Sequence, residues 1–151
     1  MNISVDLIKQ LRDRTAAGVA DCREALEETK GDLKKAQEIL RKKGFEKAAK
    51  KGDRATNSGL IESYIHQGRV GALVEVMCET DFVARTNEFK TLTHEIAMQV
   101  ASMNPKDNEA LLSQEYIRDP SKTISDLIKE TIAKLGENII VARFTRFELG
   151  S

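Results

Sequence analysis

The chain has 151 residues, of which 40% are hydrophobic and 32% are charged, with 24 basic and 24 acidic side chains. This composition excludes a disordered chain, and no apolar run approaches the roughly 18 residues that a membrane-spanning helix requires. The start, MNISVDLIKQ, has no basic stretch before an apolar block, so we expect no secretory signal. Cys22 and Cys78 lie in apolar patterns, and we expect buried thiols in a cytoplasmic protein.

The first 44 residues predict three short amphipathic helices. Ser4 can cap the first, Lys30-Gly31 ends the second, Asp32 can cap the third, and Gly44 is expected to end it. Apolar residues recur at helical spacing in these helices, and we expect them to form the core of a small bundle. They are Leu7, Ile8, Leu11, Val19, Cys22, Ala25, Leu26, Leu33, Ala36, Ile39 and Leu40. Residues 45–58 are rich in basic and small side chains, and they predict a short helical segment followed by a linker.

From Gly59 the apolar period changes to two, which predicts strands. Two candidate strands follow, Leu60–His66 and Val70–Cys78, and a turn at Gln67-Gly68 joins them as a hairpin. In the second strand apolar and other residues alternate, so that all its valines lie on one face. Residues 87–103 then predict a helix, and the KDNEA segment that follows is expected to be a loop.

A further helix is predicted after Ser121 or Thr123, either of which can cap it, and Gly136 ends it. Ile139–Leu149 returns to alternation as a third strand. We therefore predict an α+β protein: a three-helix bundle with a basic linker helix in residues 1–54, and in residues 55–151 a three-stranded antiparallel sheet with helices packed on one side.

The sequence contains no motif that indicates an enzyme. It has no phosphate-binding loop and no GxGxxG, and the spacing of its cysteines and histidines offers no metal site. A nucleophile set of Cys78, His94 and Asp81 can be imagined, but a strand cysteine and a helix-face histidine are usually structural. We expect no catalytic residue, no metal and no cofactor.

One short segment is unusual. In CETDFVAR, residues 78–85, the large aromatic Phe82 lies at a strand-to-helix corner, where burial in the protein's own core is difficult. Phe82 is either a core residue or a contact for a partner. Asp81 beside it either caps a helix or contacts the same partner.

This corner carries a resemblance. Leu73-Val-Glu-Val-Met-Cys-Glu-Thr-Asp-Phe-Val-Ala-Arg85 closely resembles the signature of the translation elongation factor Ts family, in its short, single-core form. Leu11-Arg-Asp-Arg-Thr-Ala-Ala-Gly18 with Asp21-Cys22 is similar to the family's N-terminal motif. Gly136-Glu-Asn-Ile139 with Arg146-Phe-Glu-Leu-Gly150 is similar to its C-terminal motif.

The resemblance implies a bundle like a ubiquitin-associated domain and a role as guanine-nucleotide exchange factor for elongation factor Tu. It implies that Thr80, Asp81, Phe82 and Val83 enter that GTPase near its bound magnesium ion, which is then displaced. It also implies that the bundle docks through the motif that contains Arg12, Thr15, Gly18 and Cys22. Neither a membrane nor direct contact with nucleic acid is expected.

The chain departs from the family at two points. The connector between Pro105 and Leu111 is shorter than in comparable members, and Gln99 stands where many members have a histidine. Short members can pair, so the resemblance also allows a homodimer.

Two alternatives stay open from the residues alone. Residues 1–54 carry 14 basic and 10 acidic side chains, whereas the rest carries 10 and 14. The basic stretch 42–54 could therefore bind RNA or the ribosome. The bundle alone could instead act as a ubiquitin-like binding adaptor.

Overall fold

The computed structural model describes residues 2–151. Seven helices and five strands follow one another in these residues: α1 (Val5–Thr15), α2 (Val19–Glu28), α3 (Leu33–Lys50), β1 (Ser58–His66), β2 (Val70–Cys78), α4 (Asp81–Ala84), α5 (Asn87–Met103), α6 (Asn108–Ser113), β3 (Glu115–Tyr116), β4 (Asp119–Thr123), α7 (Ile124–Leu135) and β5 (Ile140–Glu148). The predicted α+β fold, with a helical bundle before an antiparallel sheet, is confirmed.

Helices α1–α3 form the predicted bundle, and their ends are set by local capping. The Ser4 hydroxyl accepts a hydrogen bond from the Leu7 amide at 3.2 Å, and the Asp32 carboxylate accepts one from Lys35 at 3.1 Å. These side chains satisfy backbone donors that the first turn of a helix leaves free. The buried apolar residues at the centre of the bundle are Ile8, Leu11, Cys22, Ala25, Leu26, Ala36 and Leu40.

The predicted end of the third helix at Gly44 is wrong. Helix α3 continues to Lys50, and Gly44 lies in its interior. A Cβ atom at Gly44 would lie 3.0 Å from the Cβ of Ala133 in α7, so the glycine permits close packing of the two helices. Arg41, one turn earlier, reaches Asp126 at 3.6 Å and Glu130 at 3.4 Å. Helix α3 therefore joins the bundle to the α+β part.

Strands β1, β2 and β5 form one antiparallel sheet with β2 in the centre. The alternation in Val70–Cys78 is confirmed, because Ala72, Val74, Val76 and Cys78 are all buried. Gln67 and Gly68, with φ of 53° and 67°, form the turn between β1 and β2. Helix α5 packs on the buried face of this sheet and α7 packs on α5. The opposite face carries no helix among the described residues.

Four short elements, α4, α6, β3 and β4, were not predicted. The KDNEA segment is not a loop throughout: Asp107 caps α6, accepting a hydrogen bond from the Ala110 amide at 2.8 Å. Helix α4 is a single turn at the corner, and β3–β4 is a short ribbon. The buried Gln99 holds this ribbon, since its Oε1 accepts from the Ile117 amide at 3.1 Å while its Nε2 donates to the Glu115 carbonyl at 3.0 Å.

The bundle provides a direct test of the apolar pattern. Leu26 is fully buried in the last turn of α2, so we expect Leu26→Ala to lower the free energy of unfolding by about 2–5 kcal/mol. Val19, which was expected in the core, is instead half-exposed at the start of the same helix, so that expectation is wrong. Val19→Ala is therefore the control and should cost less than about 1 kcal/mol. Chemical denaturation measures both. Equal losses for the two variants would contradict the assigned core.

Candidate functional site

The corner, defined here as residues 79–85, begins where β2 ends. Cys78 is fully buried, and its Sγ donates a hydrogen bond to the Thr80 carbonyl at 3.2 Å. Burial, and then the charge of Glu137, raise the pKa of the Cys78 thiol, which keeps it protonated and able to donate. Cys78 therefore supports the corner from beneath, and its burial argues against the imagined nucleophile set.

Thr80 is the N-cap of α4, and its Oγ1 accepts a hydrogen bond from the Val83 amide at 3.3 Å. The cap role considered for Asp81 is therefore wrong. Asp81 occupies the first turn of α4 instead, and its carboxylate pairs with Arg85 at 2.7 Å. Both of these side chains are exposed, so the pair contributes little to stability.

Phe82 projects into solvent with 83% of its surface exposed, which excludes a core role. Its two neighbours toward α5, Val83 and Ala84, are buried, so the backbone that carries the ring is anchored. Thr86 closes the turn: its hydroxyl donates to the Val83 carbonyl at 2.7 Å and accepts from the Phe89 amide at 3.2 Å. An exposed aromatic on backbone fixed at both ends is suited to contact another molecule.

One residue that binds the corner from outside residues 79–85 was missed by sequence reasoning. Glu137, two residues after the end of α7, accepts hydrogen bonds at Oε1 from the amides of Glu79 at 3.1 Å and Thr80 at 2.9 Å. Its Oε2 accepts from the Thr80 hydroxyl at 2.7 Å. The residue lies 57 positions from Thr80, so its only sequence signal is its place in the Gly136-Glu-Asn-Ile139 motif.

The second predicted contact region is the connection between α1 and α2. Arg12 and Gly18 are exposed, and Thr15 is partly buried with its hydroxyl donating to the Leu11 carbonyl at 2.8 Å. Cys22 is fully buried, and burial raises the pKa of its thiol. Its Sγ faces the Ala17 carbonyl at 3.8 Å, so Cys22 supports the connection from inside the bundle, and its contact with a partner stays a prediction.

Val83, also predicted to contact the partner, is a buried residue of α4, and its contact likewise stays a prediction. The exposed predicted residues therefore form two groups. One comprises Thr80, Asp81 and Phe82 at the corner, and the other Arg12 and Gly18 on the bundle.

The basic stretch 42–54 is partly neutralised. Of its six basic residues, Lys43 lies 3.7 Å from Glu24, Lys47 lies 3.5 Å from Asp21, and Arg54 lies 3.7 Å from Glu79. Half of its positive charges are thus paired, which weakens the electrostatic attraction that RNA binding would require.

Among residues 2–151, no group of three or more His, Cys, Asp or Glu side chains could hold a metal ion. No helix in the same range is long and apolar enough to cross a membrane.

Comparison with known proteins assigns the family. The elongation factor Ts of Coprothermobacter proteolyticus is 47% identical over 196 aligned positions, which cover 99% of this chain and 100% of that protein. The chain belongs to the elongation factor Ts family. The elongation factor Ts of Thermoanaerobacter sp. strain X514 is 46% identical across 98% of this chain and 95% of its own length. The family model described as Elongation factor TS matches residues 79–151.

This member of the elongation factor Ts family is shorter than those relatives. Its 151 residues align over 194 positions with the Thermoanaerobacter protein, so at least 43 aligned positions have no counterpart here. Only residues 104–107 join α5 to α6. We interpret this short connector as the place where the relatives' additional segment is missing.

Proposed function

We propose that the chain is a guanine-nucleotide exchange factor that promotes release of GDP from elongation factor Tu. The observation that carries the proposal is the exposure of Phe82 on an anchored corner. The chain's place in the elongation factor Ts family supports it. In this role the protein performs no covalent chemistry and requires no cofactor.

Phe82 acts as a wedge in this proposal. Transfer of a phenylalanine side chain from water to an apolar groove gains roughly 1.5–3 kcal/mol. The capped turn already fixes the direction of the ring, so little conformational entropy is lost on docking. If the groove opens only when the nucleotide site is distorted, docking favours the distorted state. By linkage, the nucleotide and the exchange factor weaken each other's binding by the same factor.

The remaining exposed residues support this contact. Thr80 and Asp81 border Phe82 and meet the partner with it, while Val83 holds the turn from below. The bound magnesium ion is released because its ligands on the GTPase move. Arg12 and Gly18 provide the second contact, through which the bundle docks on the GTPase domain.

The test is the release of a fluorescent GDP analogue from elongation factor Tu, followed with and without the protein. We expect the rate to rise with protein concentration and to saturate. A release rate that does not change at any protein concentration would reject the proposal. RNA binding that falls steeply with salt, together with an unchanged release rate, would favour the alternative role of residues 42–54.

We also propose that the protein self-associates through the sheet face that no helix covers, called here the open sheet face. Exposed apolar side chains lie on all three strands of this face, at Ile61, Ile65, Leu73 and Phe147. Glu75 and Arg143, 3.4 Å apart, lie among them. Two such faces can stack about 10 Å apart as a sandwich and remove the apolar patch from water.

Sedimentation of the protein tests this proposal. We expect a dimer at high concentration, and we expect Leu73→Lys to give a monomer because it places a charge at the centre of the buried face. Val5→Lys is the control, since Val5 is also an exposed apolar residue but lies on the bundle. A parent protein that stays monomeric at high concentration would reject the dimer.

A further inference from the structure

The loop of residues 136–138, which follows α7, contacts the segment that leads to Phe82. Gly136 ends α7 with φ of 77°, a left-handed conformation that turns the chain sharply away from the helix. The next residue is Glu137, whose carboxylate receives the three hydrogen bonds from Glu79 and Thr80. The loop therefore lies directly behind the corner.

The carboxylate of Glu137 acts on α4 through Thr80. The Thr80 hydroxyl donates to Glu137 Oε2 at 2.7 Å and accepts from the Val83 amide at 3.3 Å. Its single proton is thus directed to Glu137, and a lone pair is left toward α4. This chain of bonds passes from Glu137 to the residue after Phe82. Glu137 is therefore linked by hydrogen bonds to the first turn that carries the ring.

The loop itself is anchored, so the position of Glu137 is fixed before any partner binds. Asn138 is buried, and its Nδ2 donates to the carbonyls of Gly52 at 3.3 Å and Arg54 at 2.9 Å. These carbonyls belong to the connection between α3 and β1. Arg54 also reaches back to the corner, with its guanidinium 3.7 Å from the Glu79 carboxylate. The following residue, Ile139, is buried in the core.

We infer that Glu137 is a positioning residue for nucleotide exchange: it holds Glu79 and Thr80 so that Phe82 points at the partner. The inference rests on the proposed exchange function. Glu137 acts through Thr80 and is not itself assigned a contact with the GTPase or the nucleotide. Without the Glu137 carboxylate, Phe82 stays exposed but its ring is no longer held in the direction of the partner. A displacement of the ring by about 1 Å is enough to lower the exchange rate substantially.

The experiment measures release of a fluorescent GDP analogue from elongation factor Tu over a range of concentrations of the full-length protein. We expect Glu137→Ala to lower the maximum rate at saturation by about tenfold or more. The half-saturating concentration should change by less than about threefold, because the bundle contacts are intact. Glu137→Gln should recover most of the rate, since its amide oxygen still accepts from both backbone amides and its Nε2 can donate to the Thr80 hydroxyl oxygen, which keeps a lone pair for the Val83 amide.

The control variant is Asp107→Ala. Asp107 also accepts a backbone hydrogen bond through a carboxylate, but it caps α6 and belongs to neither proposed contact. Its maximum rate should equal that of the parent. Thermal unfolding of every variant gives the folded fraction to which rates are normalised. If Glu137→Ala is unfolded at the assay temperature, Glu137→Asp replaces it, because its shorter side chain cannot span the same bonds.

Combining the Glu137 variant with Phe82→Ala separates a positioning role from a general loss of structure. If Glu137 acts by aiming the ring, adding Glu137→Ala to Phe82→Ala should lower the rate by less than about twofold further. A parental maximum rate for Glu137→Ala, or for Glu137→Asp in its place, would overturn the inference, as would an equal loss in both backgrounds. A parent protein that does not accelerate release would instead reject the proposed function itself.

Discussion

Phe82→Ala should slow the protein-stimulated release of GDP from elongation factor Tu by about 30-fold, which corresponds to about 2 kcal/mol. The free energy of unfolding should stay within about 1 kcal/mol of the parent, because 83% of the side chain is already exposed. The expected pattern is therefore a strong loss of exchange in a protein that is still folded. Release rates at saturation and thermal unfolding measure the two effects.

Asp81→Asn is the comparison variant for Phe82→Ala. It removes the charge that pairs with Arg85 but keeps the size of the side chain, and Thr80 still caps α4. We expect a milder loss of exchange and almost no change in stability. A Phe82→Ala protein that unfolds more easily, but whose folded fraction exchanges at the parental rate, would disprove the wedge.

Gly59→Ala should be the most destabilising of the glycine substitutions in the sheet. Gly59 has φ of 154°, and a Cβ atom there would lie 2.2 Å from the Val76 carbonyl oxygen and 2.8 Å from the Met77 Cα. These contacts are with the backbone of β2, so β1 would have to move away from its partner strand. We expect a loss of about 3–5 kcal/mol in the free energy of unfolding, measured by urea denaturation.

Gly71→Ala is the matched control in the same sheet. The added Cβ atom would meet Ile65 Cγ1 at 3.5 Å, which is an ordinary van der Waals contact. Its stability should lie within about 1 kcal/mol of the parent. If Gly59→Ala were equally mild, β1 and β2 could not be as close at Gly59 as the structure places them.

Much of the local structure could be read from the sequence. The helix ends at Ser4, Asp32 and Gly136 and the buried alternation of β2 were all predicted. Each depends on residues within a few positions of one another. Ser4 and Asp32 accept from an amide three residues on, the Gly136 amide donates to the carbonyl four residues back, and a strand alternates with a period of two. The resemblance at the corner also led to the correct family.

Contacts between distant parts of the chain were decided by the tertiary structure. By local rules a glycine at position 44 would end the helix. Gly44 instead lies inside α3, where Ala133 of α7 packs against it. The sequence could not say whether Phe82 is buried, because that depends on which elements surround the corner. Nor did it indicate that Glu137 holds Thr80, since a hydrogen bond across 57 positions leaves no periodic pattern. The sequence by itself therefore determined the longer elements, several of their caps and the family. The tertiary structure decided whether Phe82 is exposed, which side chain holds Thr80 and where α3 ends, because these properties depend on neighbours that only folding brings together.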